Sequence, residues 1–161
     1  GNPAAAVALA GAVLGTTLCY AGGNVGDGPG WWVVAFSSGL ATLAFFLAWG
    51  VLESSAHPSD TVTIDRDVAA GIRHASFCVA QGAILARGVA GDWKSAGATL
   101  GDLAVNGWPA LAVLGLAIAF ERALRPTGAE PSRSPFVCGV VPGVVLVGGA
   151  LGWVAWLGAA A

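Results

Sequence analysis

Five stretches of this chain are long and apolar enough to cross a bilayer, and they constrain its fold more than any other feature. A membrane helix needs about 20 mostly apolar residues to span about 30 Å of hydrocarbon. The stretches run from about Pro3 to Gly22, Trp31 to Leu52, Val68 to Ala90, Gly101 to Glu121 and Phe136 to Leu157. Lipid offers no partner to an exposed peptide group, so segments of this kind are expected to be helical. The expected fold is all-α: a multi-pass transmembrane bundle of about five helices.

Composition narrows the function classes. Only 10% of the 161 residues are charged, against about 25% in a soluble domain, which argues against a soluble globular enzyme. Seven Lys and Arg against nine Asp and Glu leave no basic footprint for nucleic acid. Cys19, Cys78 and Cys138 are odd in number and scattered through apolar runs. That spacing suits buried small side chains rather than a disulfide framework or paired metal ligands. The chain begins Gly1-Asn2-Pro3 and contains no Met, without the basic segment and cleavage site of an intact signal peptide.

Turn-rich connectors separate the stretches. Gly22 to Gly30 is too rich in glycine for a helix and reads as a surface loop. Ser54 to Asp67 is polar and acidic, with His57 expected in solvent, and Gly91 to Ala98 is short. Arg122 to Ser134 carries Arg122, Arg125 and Arg133. Pro3 sits where a helix tolerates proline, in the first turn, whereas Pro142 with Gly143 should kink the last helix. One side of the membrane then holds the N-terminus, Arg66, Arg122, Arg125 and Arg133, with Arg73 close by; the other holds Arg87 and Lys94. The cation-rich side is expected to be cytoplasmic, leaving the C-terminus periplasmic. Trp31, Trp32, Trp93, Trp108, Trp153 and Trp156 fall near the outer boundary and Trp49 near the inner one, the headgroup depth that indoles prefer.

The first and third stretches can be aligned. Asn2-Pro3-Ala4-Ala5-Ala6-Val7 matches Asp67-Val68-Ala69-Ala70-Gly71-Ile72, and Val25-Gly26-Asp27 matches Ala90-Gly91-Asp92, both 65 residues on. Glu53 and Glu121 close the following helices, and Arg133-Ser134-Pro135 could open a third copy. The expected organisation is a helical hairpin at residues 1–65, a second at 66–132, and a C-terminal transmembrane helix at 133–161 as a partial third unit. Two crossings return the chain to its starting side, so the units are parallel repeats rather than the inverted ones of many transporters.

The helix start Gly1-Asn2-Pro3-Ala4-Ala5-Ala6, the segment Gly11-Ala12-Val13-Leu14-Gly15 and Asp67-Val68-Ala69-Ala70-Gly71 together resemble the uncharacterised bacterial inner-membrane family typified by YjfL (domain of unknown function 350). The resemblance covers about Gly1 to Arg125. It implies a small helical membrane protein with a further helix before Gly1, in a setting of envelope stress or polyamine chemistry, and it implies no reaction. Asp67 stands where that family more usually has Asn, and Arg73-His74 where it has small residues.

The candidate site residues follow from cost. Asp67, Arg73 and His74 fall at the inner end of the third helix, with Gln81 and Arg87 further along it and Asp102 on the fourth. Ionisable groups at such depth are costly and face protein or water. They could form a proton or ion site or a lipid-headgroup contact. The structural alternative is a snorkelling Arg73, a hydrogen-bonded His74 and local neutralisation such as Arg87 with Asp102 or Lys94 with Asp92. Gly11 with Gly15 and Gly139 with Gly143 have the spacing that lets helix backbones approach closely, as do Gly22 with Gly26 and Gly97 with Gly101. No nucleophile elbow, phosphate loop, dinucleotide fingerprint or zinc spacing occurs, and two isolated histidines do not suit haem, so neither enzyme nor cofactor is expected. The expected partners are the lipid bilayer and either copies of the chain or other membrane subunits. The expected role is a non-enzymatic scaffold or accessory subunit in envelope maintenance; the alternative is a small channel or transporter for ions or polyamines, with a polar path along the third helix.

Overall fold

The computed structural model describes residues 1–26, 28, 30–124, 134 and 136–159. Among them every regular element is helical: α1 (Pro3–Gly22), α2 (Trp31–Ala56), the short α3 (Pro58–Thr63), α4 (Val68–Val89), α5 (Ala96–Gly107), α6 (Pro109–Leu124), a π-helical turn at Phe136–Val140, and α7 (Val141–Ala159). The all-α expectation holds. Four helical segments, α1, α2, α4 and Phe136–Ala159, are each long and apolar enough to cross a membrane, and α5 with α6 would make a fifth as one broken span. This fits a multi-pass membrane protein. The connector containing Arg125 and Arg133, the proposed start of a third copy at Arg133, and Asp27 lie outside the described residues.

Local chemistry sets the helix ends. The Asn2 side chain accepts the Ala5 N–H at 3.3 Å with Pro3 in the first turn, and Asp67 Oδ1 accepts the Ala69 N–H at 2.9 Å. Each satisfies a donor that the first helical turn cannot. Ser95 does the same for α5 through the Ala98 N–H. His57 joins α2 to α3 in the left-handed region at φ 46° and is exposed, as expected of a loop residue.

Two expectations are corrected. The fourth stretch is not one helix from Gly101 to Glu121 but two helices meeting at 46°. Pro109 has no N–H for the carbonyl four residues back and its ring crowds that carbonyl, so the helix ends and restarts. The Asn106 carbonyl beside the break is taken by the Trp153 indole N–H at 3.0 Å. The polar connector from Ser54 to Asp67 also contains a helix, α3, begun by Pro58.

The packing order is inside-out relative to a soluble protein. α4, the least apolar of the four membrane-length helices, is the most buried and touches every other helix. Large apolar side chains such as Leu9, Leu43, Leu47, Leu111, Val144 and Leu151 face outward. That arrangement would be costly in water and is ordinary in lipid.

Candidate functional site

The polar residues singled out on the third stretch all belong to α4, which places them in different surroundings. Arg73 is 2% exposed, too buried to snorkel. Its guanidinium forms a two-pronged ion pair with Glu121 of α6: Nε donates to Oε1 at 3.0 Å and Nη2 to Oε2 at 2.8 Å. Its remaining arm, Nη1, donates to the Cys138 carbonyl at 2.8 Å. That carbonyl is available for a reason legible in the chain. Four residues later stands Pro142, which has no N–H to offer it. A π-helical turn, Phe136–Val140, stands just before Pro142, and Arg73 takes the carbonyl that the proline leaves without a helical donor. A fork of donors meeting a carboxylate is the strongest pairing a buried arginine can find.

His74, the next residue, looks the other way. Its ring stands 5.2 Å from that of Trp49 on α2, and it lines a cavity of about 200 Å³ with Ala8, Ala12, Ser59 and Thr63. Its Nδ1 is buried without a hydrogen-bond partner, contrary to the expectation of a satisfied histidine. The Ser59 hydroxyl beside this cavity donates to Glu53 at 2.9 Å. Gln81 lies two turns further along α4 and lines a different cavity, against α2, α5 and α6; its Oε1 is likewise buried and unpartnered.

The remaining candidates do not join this group. Asp67 accepts a backbone N–H as the α4 cap. Arg87 is partly buried and Asp102 exposed, and among the described residues no ion pair joins them; the salt bridge formed is Arg73–Glu121. Asp67, Arg73, His74 and Gln81 thus have separate surroundings: a helix cap, an ion pair and two different cavities. No cluster of three potential metal ligands occurs among the described residues.

Most of the paired glycines fall on close contacts within the chain. A Cβ on Gly11 would collide with the Ala75 backbone, one on Gly15 with the Cys78 carbonyl, and one on Gly22 with Ala86, all on α4. Gly71 of α4 meets Ala4 in the same way. Gly139 and Gly143 face Ala69 and Ser76, so α7 lies on another side of α4. Gly97 and Gly101 meet no other helix within 4 Å.

Sequence reasoning missed Glu121 as a site residue, treating it only as the end of a hairpin. The available signal was depth: Arg73 near the start of α4 and Glu121 near the end of α6 come to the same level, and two buried opposite charges at one level are expected to pair. Comparison of the chain with family models, with curated proteins and with solved structures gave no match. The chemistry of the site is accordingly read from its own residues.

Proposed function

We propose that this chain is a non-enzymatic scaffold or accessory subunit of a bacterial inner membrane, packing within a larger assembly or against copies of itself, with its N-terminus cytoplasmic and a role in envelope maintenance. One observation carries the reading: all three guanidinium nitrogens of the buried Arg73 on the central helix are bonded inside the chain, to Glu121 and the Cys138 carbonyl. Arg73 is then a fastener rather than a ligand for cargo. The small-residue seams are also internal, so partners would meet the outward apolar faces of α2, α6 and α7. The orientation rests on the distribution of Arg and Lys. The envelope setting rests on the resemblance to the family typified by YjfL, which belongs to the same proposal.

We also infer that residues 1–65 and 66–132 are parallel hairpin repeats, with 133–161 beginning a third. Asn2 and Asp67, 65 residues apart, both cap helices. Gly26 and Gly91, again 65 apart, both take positive φ, at 111° and 138°. The neighbours Ala4–Gly71, Gly11–Ala75 and Gly22–Ala86 advance together, so α1 and α4 run parallel.

Native mass spectrometry of the chain, extracted with its lipids from its own membrane, tests the role. A stoichiometric partner or a defined multimer is expected; a monomer that carries only lipid overturns the proposal. The channel reading keeps one observation in its favour, the two unpartnered polar atoms of His74 and Gln81. Potassium or spermidine flux in liposomes that is unchanged in a His74→Ala/Gln81→Leu variant would remove it.

A further inference from the structure

Gln81 is a side chain whose hydrogen bonding the fold leaves unfinished. It is 2% exposed, and its amide oxygen has no partner. A buried carboxamide oxygen without a partner is destabilising, and a leucine would fill similar space without that cost. Gln81 is one of the residues lining a cavity of about 480 Å³. Four helices line it, α2, α4, α5 and α6, with the α5/α6 break at Gly107 and Trp108 in its wall, and it opens outward past the exposed Leu47, Val51, Trp108 and Leu111. The other surfaces are apolar, among them Val51, Leu103, Ala110 and Leu114.

Size and chemistry together select an occupant. The volume is within the range of about 300–1,000 Å³ that holds compact small molecules. Along α2 the cavity extends from Ala44 to Val51, about 10 Å of helix. A docking transmembrane helix needs a groove many turns long, and this recess runs for only two. Apolar walls exclude a charged ligand, whose burial without a counter-charge is prohibitive. The buried Gln81 amide, whose oxygen lacks a partner, asks for one hydrogen bond, and a terminal amide turned by half a revolution exchanges its oxygen for its NH₂. It can therefore accept from a hydroxyl or donate to a carbonyl.

We propose that this cavity binds a lipid-soluble molecule with a compact apolar body and a single hydroxyl or carbonyl group, held by the Gln81 amide. The test uses the full chain in lipid nanodiscs with 1-dodecanol, 2-dodecanone and dodecane, compared at equal membrane concentration by native mass spectrometry. One oxygenated molecule per chain is expected, bound about tenfold more tightly than the hydrocarbon, the worth of one hydrogen bond. Whichever of alcohol and ketone binds better identifies the natural group. Gln81→Leu should bind all three equally, and Ala110→Phe, which fills the cavity and leaves the amide in place, should bind none. Should Gln81→Leu fail to fold, the wild-type preference and its loss in Ala110→Phe decide the matter. Equal binding of dodecanol, dodecanone and dodecane by the wild type overturns the proposal. So does a preference that survives in a folded Gln81→Leu or Ala110→Phe variant, or an absence of that preference alongside a protein partner released by Gln81→Leu.

Discussion

α4 is held on two of its sides by opposite means. Toward α1 it presents small residues, and the two helices approach until backbone meets backbone at Gly11, Gly15, Gly22 and Gly71. Toward α6 and α7 it presents Arg73, one of the largest fully buried side chains, whose donors are matched by Glu121 and the Cys138 carbonyl. The first seam relies on dispersion between surfaces with nothing protruding, which is how helices associate where lipid removes the hydrophobic drive. The second relies on charge in a medium that cannot screen it. The contrast makes a definite statement about failure: the α1 seam breaks when atoms are added, and the Arg73 junction with Glu121 and the Cys138 carbonyl breaks when atoms are removed.

The largest expected effect is therefore an addition. Gly15→Leu places a branched side chain against the Cys78 carbonyl and the Phe45 ring, and the carbonyl, being backbone, cannot rotate away. Overpacking costs about 1–3 kcal/mol where side chains can give and more where, as here, backbone cannot, so this change is expected to cost more than any other single substitution considered. Gly39→Leu is the control, because a Cβ there meets nothing within 4 Å. Unfolding titrations in mild detergent should show the first variant collapsed and the second near wild type. Equal stability of the two would mean the α1 seam is looser than its geometry implies.

Next in size is a removal. Arg73→Met leaves Glu121 buried, charged and unpaired, a loss of about 3–5 kcal/mol by analogy with other broken buried pairs. Adding Glu121→Leu should recover most of it, because the orphaned charge goes as well. A double-mutant cycle read by the same titrations checks this. Simple additivity of the two losses would mean that the side chains do not act as a pair.

The two seams also differ in how far the chain announces them. The helix ends were legible because their signals are local: Asn2 before Pro3, Asp67 before Val68, and the glycines from Gly22 to Gly30 each act within a few residues. The burial of α4 follows from its polar composition, since an outward face with Arg73, His74 and Gln81 would be untenable in lipid. The break at Pro109 was written in the sequence but hidden by apolar content, which a hydropathy window averages over while ignoring a missing N–H. The Arg73–Glu121 pair was not legible, because 48 residues separate its members and their meeting depends on how α4 and α6 rotate about their own axes. The same applies to the Cys138 carbonyl: Pro142 indicates that it lacks a helical donor, and only packing indicates which side chain supplies one.

A third, smaller effect tests whether the polar side of α4 holds anything beyond the ion pair. Gln81→Leu removes a buried group whose oxygen has no partner in the chain. In a preparation stripped of lipid-like molecules it should raise stability by about 1 kcal/mol, since leucine keeps the volume without the desolvation cost. A loss of stability instead would show that the amide is satisfied even in the stripped protein.

The smallest expected effect sharpens the comparison from outside both seams. Gly50 lies inside α2, is exposed, and has nothing within 4 Å of the position a Cβ would take. Glycine inside a helix is less favourable than alanine by about 0.5–1 kcal/mol, because the unfolded chain loses more freedom. If glycines matter here only where one helix of the chain packs against another, Gly50→Ala should raise stability by about that amount and leave every assembly intact. The two readouts separate cleanly. A folded Gly50→Ala variant that no longer co-purifies with its partner would move Gly50 from the unconstrained glycines to an intermolecular seam of the kind α1 and α4 form within the chain. The outward face of α2 would then be where another molecule's backbone comes close, since an exposed glycine gives a neighbouring helix the same access that Gly15 gives α4.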